Sequence, residues 1–159
     1  MNLLRRARLR LRRGRTATLS IELTTRCNFD CVMCPRSALL TEGDLVSRDM
    51  DLATLRRVLE AANKLFPGRK ITVCPEGLGE SLLHPQFCEA LQTIKEHAAG
   101  CSVDLNVNGS VMSDEHRETL GELLGPHDRV YFSINAPDRQ SHEAIKSREA
   151  SSLTTWCRT

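Results

Sequence analysis

At 159 residues, 40% hydrophobic and 26% charged, the chain has the composition of an ordinary soluble globular domain and is too short for several. No run approaches the roughly 18 apolar residues of a membrane span, and the N-terminus lacks the apolar core and cleavage site of a secretory signal. The expected setting is therefore cytoplasmic, where thiols stay reduced, and an odd count of seven cysteines reads as ligands or small buried hydrophobes rather than a disulfide framework.

Residues 1–15, MNLLRRARLRLRRGR, hold seven arginines and no acid, so a net charge of +2 conceals a mildly acidic remainder. Such a leader suits nucleic acid, an anionic membrane surface or an organelle presequence, or is a solvated extension. No aromatic residue is interleaved to stack on bases, so nucleic acid is not the expected partner.

After the leader, Thr18 to Thr24 alternates apolar and polar residues and reads as a strand. It runs into TTRCNFDCVMCPR, where Cys27, Cys31 and Cys34 fall within eight residues at spacings of four and three. A structural zinc site or an ordinary ferredoxin cluster takes four protein ligands, so three thiolates leave one metal position open. Between Asp49 and Phe66 an apolar stripe through Leu52, Leu55, Val58, Leu59 and Ala62 predicts a helix closed by Pro67-Gly68. Lys70 to Cys74 is a second strand, followed by the loop EGLGES. Pro85 opens a helix with Phe87, Leu91, Ile94 and Ala98 on one face and Gly100 as its stop.

Val103, Leu105 and Val107 form a third strand ending at Asn108-Gly109, and Ser113 caps a helix carrying Leu120, Leu123 and Leu124. Val130, Phe132 and Ile134 make a fourth strand, and Asp138 caps a last helix holding Ala144 and Ile145. This βαβαβαβα order, without hairpin signals, predicts an α/β fold: a parallel sheet with helices on one side, curling toward a partial barrel. The segments after the strands, CNFDCVMC, EGLGES, NGS and SINAP, then converge on one rim, where such folds place their chemistry.

A complete eight-unit barrel takes about 250 residues. Residues 16–150 accommodate about four βα units, the tail 151–159 shows no strand pattern, and strand four would be left as an unpaired edge. The expectation is a truncated core between leader and tail.

The cysteine motif after a strand, together with GLGESLLHP at 77–85, resembles the radical S-adenosylmethionine (radical SAM) superfamily. The wording is most similar to members followed by a C-terminal SPASM-like cluster domain that act on peptides, proteins or carbohydrate-like substrates. The resemblance implies four units of a six-unit core, with Cys27, Cys31 and Cys34 holding three irons of a [4Fe-4S] cluster. SAM would chelate the open iron and be cleaved reductively to methionine and a 5′-deoxyadenosyl radical that abstracts hydrogen from a substrate. A flavodoxin or ferredoxin would supply the electron.

Carried over by residue, Gly79 and Glu80 match the loop that holds the SAM amino group, a role that suits a carboxylate. Ser81 stands where the family has proline and is expected to loosen the turn; Val107 replaces the threonine of a TNG motif. Ser133 and Asn135 match a fourth-strand motif that approaches the SAM ribose or carboxylate. Phe29, Val32 and Met33 are expected to shield the cluster, and Arg36 to serve either the SAM carboxylate or an electron donor. His84 reads as a turn residue. No residue is identified as catalytic, and two other readings stand beside this one: a truncated inactive fragment, and a small iron-sulfur or zinc module completed by Cys74 or Cys101.

Overall fold

The computed structural model describes residues 16–98 and 100–146. The arginine leader, the tail and Cys157 lie outside the described residues. Along the chain come β1 (Ala17–Ser20), α1 (Arg36–Glu42), α2 (Leu52–Leu65), β2 (Ile71–Cys74), a 3₁₀ turn (Ser81–Leu83), α3 (Phe87–His97), β3 (Ser102–Val107), α4 (Asp114–Leu123), β4 (Arg129–Phe132) and α5 (Arg139–Lys146). The four strands form one parallel sheet in the order β1-β2-β3-β4, with Ser20 beside Cys74, Val73 beside Val103 and Asn106 beside Tyr131.

Successive side chains of a strand point to opposite faces, and here the two faces have different partners. Ile71, Val73, Val103, Leu105 and Val107 are buried in one cluster with Leu55 and Leu59 of α2, Phe87, Leu91 and Ile94 of α3, and Leu120 of α4. The alternate positions Thr72, Ser102, Asp104, Asn106 and Tyr131 are polar and only partly covered. Helices cover one side of the sheet and leave a polar wall on the other, as the alternation predicts. Among the described residues no helix is long and apolar enough to cross a membrane.

Local chemistry sets the boundaries. Asp51 caps α2 by accepting from the Thr54 amide at 2.7 Å, and Ser113 with His116 forms a reciprocal capping box on α4. Asp138 caps α5 through the Ser141 amide at 2.9 Å. α3 begins at Phe87, two residues beyond Pro85.

The sequence pattern misses three features. β1 ends at Ser20 rather than Thr24: the Ile21 amide makes one more bond to the Cys74 carbonyl, but the Glu76 amide, which the parallel register would bring to Ile21 next, turns back to that same Cys74 carbonyl at 2.9 Å. The chain then pairs with the segment before α2, through Met50 N–H to Leu23 carbonyl (2.8 Å) and Thr25 N–H to Arg48 carbonyl (3.0 Å). Helix α1 has no apolar stripe to announce it, although Pro35 precedes it and Gly43 follows at φ 81°, donating back to the Leu40 carbonyl. β4 stops at Phe132, leaving Ile134 outside the strand and 65% exposed.

Asp128 holds the far end of β3 and β4. Its carboxylate accepts from Lys95 Nζ (2.7 Å), the Gly125 amide (2.6 Å) and the Val103 amide (2.6 Å). Burial alone would raise this carboxyl; the three donors together hold it below its ordinary value.

Candidate functional site

Cys27, Cys31 and Cys34 follow β1 at the C-terminal end of the sheet, all half-buried. They line a cavity of about 500 Å³ together with Phe29, Gly79, Glu80, Asn108, Ser133 and Lys146. The loop is shaped by short bonds: Cys34 N–H reaches the Cys31 carbonyl at 2.9 Å, and Phe29 N–H reaches Cys27 Sγ at 3.5 Å. Arg36 is buried; its Nε donates to the Thr25 carbonyl at 2.8 Å, and its guanidinium lies 3.6 Å from Asp30. It braces the loop from behind and does not line the cavity. Val32 and Met33 are 71% and 60% exposed, so of the three expected shielding residues only Phe29, at 4%, is covered.

Burial pushes the Cys27 and Cys31 thiols above their ordinary values, with the nearby Lys146 charge opposing the effect at Cys31. Thiols so placed lose their protons to a metal that replaces the lost solvation. Among the described residues no group of three or more His, Cys, Asp or Glu side chains converges on a single ion position. Three thiols leave a single zinc ion one protein ligand short of its usual four, whereas an iron–sulfur group takes one thiolate per iron. Cys74 is buried on β2 and half-buried Cys101 donates weakly to the Ile94 carbonyl; neither lines the cavity.

The second loop is pressed against the first. Glu80 N–H donates to the Arg26 carbonyl at 2.7 Å, one residue before Cys27. A β-carbon on Gly79 would meet the Thr24 carbonyl oxygen at 1.9 Å, far inside contact distance, so only glycine permits this approach. Glu22 supports the preceding residues by accepting from the Leu78 amide at 2.5 Å. Arg26 clamps the outer side, donating to both carboxylate oxygens of Asp49 (3.0 and 2.8 Å) and to the Leu83 carbonyl (3.0 Å). His84 is buried; its Nδ1 accepts from the Gln86 amide, which makes Nε2 the donor to the Met50 carbonyl at 2.8 Å. Ser81 tightens the turn it was expected to loosen, because its hydroxyl donates to the Pro75 carbonyl at 2.5 Å.

Glu80 is 3% exposed and faces the cavity. Its Oε1 accepts from the Leu82 amide (3.2 Å) and its Oε2 from the Asn108 amide (2.6 Å). Burial raises this carboxyl above its ordinary value despite those donors and Lys146. A carboxylate has about four acceptor positions, so capacity remains for a cationic ligand group.

On the β4 side, Ser133 lines the cavity and donates to Asn106 Oδ1 at 3.0 Å. Asn135 is exposed and stands off the cavity wall. The structure thus brings Cys27, Cys31, Cys34, Gly79, Glu80 and Ser133 together and leaves Asn135 outside. Sequence reasoning missed Lys146, among the described residues the one lysine or arginine on the wall. It is 4% exposed with Nζ 5.2 Å from the Phe29 ring centroid, and His142 meets the same ring edge-on at 5.7 Å. Ala144 and Ile145 fall in α5 as the sequence predicts; Ala144 is exposed, and the helix is anchored by buried Lys146 and by a bond from Val32 N–H to the Ile145 carbonyl at 2.9 Å.

The model of the radical SAM superfamily matches residues 21–153. The chain belongs to the radical SAM superfamily. Members use a [4Fe-4S] cluster and SAM, and typically a flavodoxin or ferredoxin as reductant. The chain is 33% identical over 117 residues to the tungsten-containing aldehyde ferredoxin oxidoreductase cofactor-modifying protein of Pyrococcus furiosus, covering 74% of this chain and 30% of that protein. It is 28% identical over 130 residues to GTP 3′,8-cyclase of Microcystis aeruginosa, covering 80% of this chain and 37% of that one. It therefore spans about a third of the length of these curated relatives. Among solved structures, Streptococcus suis SuiB bound to S-adenosylmethionine matches at TM-score 0.66 and 13% identity, over 94% of this chain and 32% of SuiB. BtrN in an open conformation matches at 0.54 and 21%, over 82% and 55%. These likenesses carry the fold: the four-stranded sheet is the corresponding part of a radical SAM barrel.

Proposed function

We propose that Cys27, Cys31 and Cys34 hold a [4Fe-4S] cluster and that Gly79 and Glu80 receive the amino group of SAM bound to it. The observation that carries this reading is that the three thiols and the buried Glu80 carboxylate share one cavity, with the two loops joined by the Glu80 amide and the Arg26 carbonyl. The bound pair supplies reductive cleavage of SAM to a 5′-deoxyadenosyl radical for hydrogen abstraction. The chain's own residues bind and orient. Glu80 offers a fixed anion to an ammonium, Lys146 a buried cation to a carboxylate, and Ser133 a hydroxyl on the opposite wall. Asn135 would join them after a movement of the segment following β4. Phe29, packed between Lys146 and His142, closes the cavity behind the cysteines and limits water there.

The substrate would be a peptide, protein or carbohydrate-like molecule and the reductant a flavodoxin or ferredoxin in the cytoplasm. The test is anaerobic reconstitution with iron and sulfide. About four irons should bind per chain, and replacing any one of Cys27, Cys31 or Cys34 with alanine should remove most of them while Cys88→Ala should not. Adding SAM should change the electron paramagnetic resonance spectrum of the dithionite-reduced protein. Glu80→Ala should weaken that response roughly 10- to 150-fold in SAM concentration, the equivalent of a lost charge-assisted contact. Iron content unchanged by the triple cysteine replacement would sink the ligand assignment.

A further inference from the structure

Asn28 follows the first cysteine and spans to the end of β3, 80 residues away. Its Oδ1 accepts from Asn108 Nδ2 at 3.0 Å and its Nδ2 donates to Ser110 Oγ at 2.8 Å. The Ser110 hydroxyl in turn donates to Asn108 Oδ1 at 2.7 Å, closing a ring of three side chains. The orientation of both amides follows from one group: the Ser110 backbone N–H, 2.9 Å from Asn108, can only donate, so the atom facing it is oxygen. Asn108 must then offer its nitrogen to Asn28, and Asn28 its own to Ser110. Gly109, at φ 71°, supplies the left-handed residue that turns Asn108 and Ser110 toward the same neighbour.

An Asn-Gly turn needs only the bond from Ser110 N–H to Asn108. The reach of Asn28 across to it is additional, and its two ends are consequential. One end is covalently next to Cys27; the other fixes Asn108, whose backbone amide donates to Glu80 Oε2 at 2.6 Å. Neither Asn28 nor Ser110 lines the cavity, so neither is placed to touch a ligand there.

We propose that Asn28, Asn108 and Ser110 form a latch that sets the position of the Glu80 carboxylate relative to the cysteine loop. Asn28 and Ser110 are positioning residues for SAM. The inference rests on the reading that the cysteines hold the cluster and Glu80 the SAM amino group. Without the latch the cluster would remain, since the thiols that would hold it are untouched, but the Asn108 amide loses its fixed direction and Glu80 its register with the cysteine loop.

The experiment uses the reconstituted chain and reads two quantities: iron per chain, and the SAM concentration giving half the change in the spectrum of the reduced cluster. Asn28→Ala and Ser110→Ala should keep parental iron and each need about tenfold more SAM. The double variant should be no weaker than the weaker single, because either change opens the same ring. Ser110→Thr, which keeps the hydroxyl, should restore parental behaviour. A parent that responds to SAM while Asn28→Ala and Ser110→Ala respond at the same concentration overturns the latch alone. Losses that simply add in the double variant also overturn it. A parent whose spectrum ignores SAM overturns the reading of the site and the latch with it. Should Asn28→Ala lose its iron, Ser110→Ala and Ser110→Thr, one turn removed from the cysteines, decide the question.

Discussion

The rim over β1 and β2 is interlocked by close main-chain approach, whereas the rim beside β4 is held beyond the strand by a main-chain bond from Ser133 N–H to the Val107 carbonyl (2.8 Å) and by side-chain contacts. On the first side the Glu80 amide bonds to Arg26, Gly79 lies against the Thr24 and Arg26 carbonyls, and Arg26 clamps Asp49 and Leu83. On the second, Ser133 reaches Asn106 while Tyr131, Phe132 and Ile134 are 48%, 40% and 65% exposed. Main-chain contacts cannot relax by a rotamer change, so the first side is preorganised and intolerant of substitution. The second side is firm at its base, where Asp128 ties α3, β3 and the start of β4, and adjustable at its top.

The strongest test of that contrast is Gly79→Ala. A methyl group directed at the Thr24 carbonyl must separate the two loops, and the expected loss is about 3 kcal/mol of stability, the upper end for overpacking. Urea unfolding of the metal-free chain measures it, and a variant unfolding with the parent would break the picture of two interlocked loops.

Next comes Asp128→Asn, which tests the base of the β4 side. Replacing a charged acceptor of three donors should cost about 2 kcal/mol near neutral pH. Because the native carboxyl is held below its unfolded value, this contribution is present above the unfolded pKa and is lost as pH falls through the native one. The parent and the variant should therefore approach each other in acid. A constant difference across that range would assign the cost to packing instead.

Glu80→Gln sharpens the contrast from within the interlocked side. Burial raises the native Glu80 carboxyl above its unfolded value, so the unfolded chain releases this proton first as pH rises. Stability from this group is then fully present below the unfolded pKa and declines as pH climbs through the native one. The SAM-free parent should lose stability relative to Glu80→Gln over that interval, and a gap that widens in the parent's favour toward neutral pH would contradict the assignment.

The smallest expected effect is on the adjustable rim. Ser133→Ala removes one partly exposed hydroxyl bond and should change stability by about 0.5–1 kcal/mol. If it proved as damaging as Gly79→Ala, the two sides would not differ in kind.

Hydrophobic alternation and helical stripes made the four strands and helices α2 to α5 legible, and motif resemblance pointed to the cysteines, Gly79 and Glu80. The stripe of α2 is an example: Leu55, Leu59 and Ala62 are its buried residues. What escaped did so for identifiable reasons. α1 is seven residues long and is defined by Pro35 and Gly43 rather than by an apolar face. Lys146 carries no signal in the sequence and Arg36 reads there as a partner for the SAM carboxylate or an electron donor, yet they are 4% and 6% exposed, because long side chains lie along whatever surface the fold brings to them. Val32 and Met33 read as a shield and face outward.

By itself the sequence determined the local periods, the caps and the chemistry of the ligand set, since each depends on residues within a turn or a loop of one another. The polar positions that alternate with the core residues on β2 and β3 were likewise present as a pattern from the start. Only the tertiary structure decided which loops meet. Asn28 finds Ser110, Arg26 finds Leu83 and Lys146 finds Phe29 across separations that no periodicity spans. These meetings follow from parallel strand pairing, which carries the C-terminal ends of strands distant in sequence to a common edge and so converts separate loops into one site.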